Sequence, residues 1–140
     1  MSRQSRINNE IRYIQEYQQL GLFNYIPSIH KDDEFDIMFT GPVATPYEAG
    51  DYVVHFRFDL NHPFSPPHAR FKTRIMHPNI SESGIISLDI LTNKIWSPAL
   101  MMHKLILSVI SLLDDPNFSN PLNYDAAAIY IADPDMYAEL

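Results

Sequence analysis

The chain has no cysteine among its 140 residues. Disulfides, thiolate metal sites and any thiol nucleophile are thereby excluded. Basic charge is scarce as well: 10 Lys and Arg face 17 Asp and Glu, a formal net charge of −7. That balance argues against a nucleic-acid binder, because affinity for phosphates relies on clustered Lys and Arg. The densest basic group, Arg3, Arg6 and Arg12, falls only partly on one helical face. The few glycines (21, 41, 50 and 84) stand too far apart for a phosphate-cradling loop. No apolar run approaches the about 20 residues needed to span a bilayer. The segment Met1 to Arg12 is polar, with no apolar stretch of signal-peptide type. The expectation is a soluble intracellular protein, cytoplasmic or nuclear, that engages neither nucleic acid nor membrane.

Apolar residues make up 46% of the chain and charged residues 19%, enough for a core. The length suits one domain, 1–140, and the 11 prolines suggest long ordered loops. Ile7, Ile11, Ile14 and Tyr17 or Gln18 have the spacing of an amphipathic helix that Gly21 closes. Short β-like runs follow at Tyr25–His30 and Phe35–Thr40, then the clear alternation of Tyr52–Phe58, then Ala69–Thr73 after the proline-rich break His62–Pro67. Consecutive strands at short spacing predict an antiparallel meander in an α+β fold, not βαβ units. Between Arg74 and Pro98 regularity dissolves, and such stretches are often functional. A helix is predicted over Ala99–Leu113, stopped by Pro116, and a last one over Tyr124–Ile131 with Asn123 as its cap.

The histidines at 30, 55, 62, 68, 77 and 103 have no pair at i, i+3 or i, i+4, so isolated surface or loop histidines are expected rather than a metal site. No cofactor is implied. Gly84-Ile85-Ile86-Ser87 lacks the G-x-S-x-G elbow of a serine hydrolase, although Ser87, His77 and Asp89 could meet in space.

The irregular stretch carries a resemblance. Met76-His77-Pro78-Asn79-Ile80, then Gly84-Ile85-Ile86-Ser87-Leu88-Asp89-Ile90-Leu91, then Trp96-Ser97-Pro98-Ala99 resemble the active-site signature of ubiquitin-conjugating enzymes: HPNI, G-x-I-C-L-D-I-L and WSPA. Gly41-Pro42, Pro46-Tyr47-Glu48-Ala49-Gly50 and His62-Pro63-Phe64-Ser65-Pro66-Pro67 resemble the family's G-P, P-Y-x-G-G and Y-P-F-x-P-P blocks. Ser111-Leu112-Leu113-Asp114-Asp115-Pro116-Asn117 and Pro121-Leu122-Asn123 are similar to its S-L-L-x-[DE]-P-N and P-L-N segments, so the resemblance runs in register over about residues 5 to 137.

The resemblance implies the UBC fold: an N-terminal helix, a four-stranded antiparallel meander, the irregular active-site stretch and then two C-terminal helices, with the family's last helix truncated here. It implies an acyl transferase that takes ubiquitin or a ubiquitin-like protein from an activating enzyme and passes it to lysines of substrate proteins, with RING- or HECT-type ligases. The family's thioester forms on a cysteine, and the matching position here is Ser87. A thiol near pKa ~8.5 supplies thiolate and leaves readily, whereas a serine hydroxyl ionises far less readily. His77 is implied to shape a turn. Asn79 is implied either to stabilise an oxyanion or to serve as a structural turn residue. Asp89 is implied to orient the incoming lysine. The loop before Pro121, where the family often has an acid, offers Ser119 and Asn120 and no carboxylate.

Ligase docking is implied at Pro63 and Phe64 in one loop and Pro98 and Ala99 in another, with Arg6 facing the activating enzyme and ligases. Leu100, Lys104, Leu107, Ser108 and Ser111 match the face on which donor ubiquitin folds back. Phe35 replaces a frequent tryptophan, and one extra residue lies around Asn93-Lys94-Ile95. Three readings stay open at this point: a conjugating enzyme with a Cys-to-Ser change that traps an ester, a natural non-catalytic module that binds ubiquitin or a ligase, and, remotely, a serine hydrolase.

Overall fold

The computed structural model describes residues 2–118 together with Leu122 and Asn123. Helix α1 spans Arg3–Gln18, and its N-cap Ser2 accepts from the Ser5 amide. Ile7, Glu10 and Ile14 form its buried stripe, and Gly21, at φ +81°, turns the chain away. Strands β1 (Asn24–Pro27), β2 (Glu34–Thr40), β3 (Asp51–Arg57) and β4 (His68–Phe71) make one antiparallel sheet in sequence order. Phe35, Ile37 and Phe39 on β2 and Val54 and Phe56 on β3 face inward, opposite the period-two partners that face out. Phe35 stacks on Phe56 with ring centroids 5.5 Å apart. Helix α2 (Met102–Leu112) covers that face with Met102, Leu105, Ile106, Val109 and Leu112, and packs against α1.

The meander and the first helix match the sequence reading. The second helix starts later than the predicted Ala99: Leu100 donates to the Ser97 carbonyl in a turn, and Met101 is extended at φ −103° and ψ 144°. A single 3₁₀ turn, Asp89–Leu91, interrupts the stretch expected to be irregular. The predicted helix Tyr124–Ile131 lies outside the described residues. Of the histidines expected on the surface or in loops, His62 and His77 do lie in loops but are buried there, and the expectation needs correcting for His103, which is buried on α2 against Tyr17.

Candidate active site and docking loops

After β4 the chain forms a tight double-back. Gly84, at φ +94°, donates to Ser81 and accepts from the Phe71 amide, so a Cβ there would lie 2.2 Å from the Phe71 oxygen. Only glycine fits. This turn brings Ile86 and Ser87 beside the His77–Ile80 segment, and the Ser87 amide donates to the Asn79 carbonyl at 2.8 Å.

His77 is fully buried. Its Nδ1 accepts from the Asn79 amide at 2.9 Å and its Nε2 donates to the Leu112 carbonyl at 2.7 Å, the C-terminal end of α2. Burial pushes the imidazole down to about 4, so the ring is neutral at neutral pH. With both nitrogens committed, it has none to offer Ser87 as a base. The hydrolase reading gains no support from it.

Asn79 is 1% exposed, and its amide grips one residue from both sides: Nδ2 donates to the Asn117 carbonyl and Oδ1 accepts from the Asn117 amide, each at 2.7 Å. The Pro78 carbonyl accepts from the Leu122 amide at 2.7 Å. His77, Pro78 and Asn79 therefore pin the candidate active-site stretch to the end of α2 and to the segment beyond it. The Asn79 side chain is occupied in that task, the geometry of the structural alternative.

Ser87 is half-buried and lines a groove of about 540 Å³ together with Asp89, Thr92, Leu112, Asp115 and Asn117. Among the described residues its hydroxyl has no hydrogen-bond partner. Asp89 is exposed, and its Oδ1 accepts from the Ile90 amide at 2.8 Å as the 3₁₀ turn begins. Asp115 was not singled out from the sequence as a site residue. The Leu-Leu-Asp-Asp-Pro-Asn run held the signal, but only the fold shows which of its two acids reaches the groove. Ser119 and Asn120 lie outside the described residues.

The two loops expected to dock ligases meet each other: the Trp96 indole donates to the Pro63 carbonyl at 2.9 Å. Phe64 projects 78% exposed beside them, and Pro98 and Ala99 are exposed. Arg6 does not simply face solvent. It reaches across to the Pro98 carbonyl at 2.7 Å while pairing with Glu10 at 3.3 Å. On α2, Lys104 and Ser111 are exposed and Leu107 and Ser108 half-buried, while Leu100 sits in the turn before the helix. Beside that flank opens a groove of about 680 Å³ that Leu22, Val43, Leu107 and Ile110 line.

A family model described as ubiquitin-conjugating enzyme matches residues 6–140. Among solved structures, the chain is similar to the E2 domain of a ubiquitin-conjugating enzyme from Toxoplasma gondii, with 30% identity, a TM-score of 0.86, and 99% of this chain and 92% of that one covered.

Proposed function

Because the chain belongs to the ubiquitin-conjugating enzyme family, we propose that it accepts ubiquitin or a ubiquitin-like protein from an activating enzyme on Ser87. It holds the modifier as an ester and presents it, with a RING- or HECT-type ligase, to substrate lysines in the cytoplasm or nucleus. In the charging step the Ser87 oxygen attacks the activating enzyme's thioester carbonyl. The C–O bond forms, the C–S bond breaks, and the hydroxyl proton leaves with the thiol. An alkoxide is a poorer leaving group than a thiolate, so the ester passes its cargo on slowly. Asp89 and Asp115, on the groove beside Ser87, suit an approaching ammonium.

The observation that carries this reading is the hydrogen bond from the Ser87 amide to the Asn79 carbonyl, which holds residue 87 at the groove through its backbone. The test is charging with activating enzyme, ATP and a set of ubiquitin-like proteins. An adduct that hydroxide cleaves and thiols leave intact is expected. Absence of an adduct from both the native chain and its Ser87→Cys variant would refute it.

One observation favours a second reading, a non-catalytic module. Among the described residues no base is hydrogen-bonded to the Ser87 hydroxyl, while Phe64 stands 78% exposed. Ligase or ubiquitin binding by a chain that charges neither as Ser87 nor as Cys would establish that role.

A further inference from the structure

Buried carboxylates are rare in helix stripes, and Glu10 is one, with no exposed surface at all, between Ile7 and Ile14. A carboxylate only accepts, so each neighbour must donate. Oε1 accepts from the Met102 amide at 2.8 Å, the first amide of α2, whose own N-cap Met101 supplies no side-chain oxygen. Oε2 accepts from Arg6 Nε at 3.3 Å and from His62 Nε2. Opposite a carboxylate, His62 donates that bond from Nε2. Its Nδ1 has no partner among the described residues, and its ring meets Phe58 edge-on at 4.7 Å. The only side-chain hydrogen bond that His62 makes there is the one to Glu10.

These bonds close a ring. His62 precedes Pro63, whose carbonyl holds the Trp96 indole. Arg6 continues from Glu10 to the Pro98 carbonyl, just beyond Trp96. Both docking loops and the start of α2 are thus referred to one carboxylate on α1. Fold stability is a weak reason to keep such a group, since apolar replacements of buried ionic clusters are often neutral or stabilising. Fixing the relative position of exposed groups is a stronger one. We propose that Glu10 is the positioning residue of the ligase-docking platform, acting through His62 on Pro63 and Phe64 and through Arg6 on Pro98 and Ala99. The inference rests on the reading of those loops as ligase contacts.

Trp96 is the single tryptophan, so its indole N–H gives one unambiguous NMR resonance whose solvent exchange reports the bond to Pro63. His62→Phe keeps the ring and removes the donor, whereas His62→Tyr keeps a ring with a hydroxyl that can donate to Glu10. In His62→Phe and Glu10→Gln, indole exchange should quicken about tenfold, the worth of one hydrogen bond to a charged group. Affinity for a RING-type ligase domain that binds the native chain should fall by about as much. In His62→Tyr both should stay within about twofold of native. If Glu10→Gln does not fold, the His62 pair carries the comparison. Native indole exchange in His62→Phe, or equal disturbance by Phe and Tyr, would overturn the proposal by making the ring's volume the operative feature. If no ligase domain binds the native chain, the docking reading fails on that arm, and indole exchange still decides whether Glu10 sets the loops.

Discussion

His77 offers a stability prediction whose size follows from the structure. Its imidazole has an ordinary value of 6.5 and titrates near 4 in the folded chain, because burial disfavours the charged ring. Below about pH 6.5 the unfolded chain binds a proton that the folded chain refuses, so stability rises with pH through this window. The contribution is complete above about pH 6.5 and drains away as pH falls toward about 4. Integrating between about pH 7 and about pH 5 gives a loss of about 2 kcal/mol from this one group, with a limiting slope of about 1.4 kcal/mol per pH unit. His103 adds in the same direction: burial and then Lys104 lower it, against the pull of Glu10. Urea unfolding followed by Trp96 fluorescence at a series of pH values measures the whole dependence. A His77→Gln variant isolates the first term, since its absolute stability will drop but its slope should be shallower by about one proton. Parallel native and variant lines would refute the assignment of His77 as a buried neutral ring.

Gly84→Ala should cost about 1–3 kcal/mol by chemical denaturation, because the turn requires φ +94° and the Phe71 oxygen occupies the Cβ position. A loss below about 0.5 kcal/mol would mean the turn rearranges cheaply. Asn79→Ala removes both 2.7 Å bonds to Asn117 and should destabilise the chain by about 2–4 kcal/mol in the same assay, whatever its effect on charging. Phe64→Ala should leave stability within about 0.5 kcal/mol, since the ring is 78% exposed, yet weaken ligase binding about tenfold or more by calorimetry.

The parts of this fold that periodicity encodes were legible in the sequence. Ile7, Ile11 and Ile14 announced α1, and the alternation from Tyr52 to Phe58 announced β3, because these elements bury a face set by their own residues. What escaped depended on partners distant in sequence. Helix α2 starts at Met102 and not at Ala99, and the acceptor for its first amide comes from Glu10, on the opposite side of the sequence. The burial of the loop residues His62 and His77 escaped because spacing cannot reveal Glu10 or the Leu112 carbonyl as their partners. Asn79 was open between two roles for the same reason: Asn117, the residue its amide grips, is recognisable only once the segment after α2 has folded back. Motif blocks contain these residues, and tertiary hydrogen bonds show how each is held.

A serine can occupy position 87 because of how the frame around it is bonded. The contacts that hold the active-site stretch run through the His77 ring, the Pro78 carbonyl, the Asn79 amide and the backbone of residue 87. The Ser87 side chain contributes no hydrogen bond to them among the described residues. Exchanging its oxygen for sulfur changes volume little and leaves every one of those bonds in place. Ser87→Cys should therefore shift unfolding free energy by less than about 0.5 kcal/mol. The same change replaces a hydroxyl that barely ionises by a thiol near pKa ~8.5 and, in the proposed charging reaction, an ester by a thioester. Position 87 is thus structurally quiet, so the proposed charging chemistry can be tested there by exchanging one atom while the fold remains as it is.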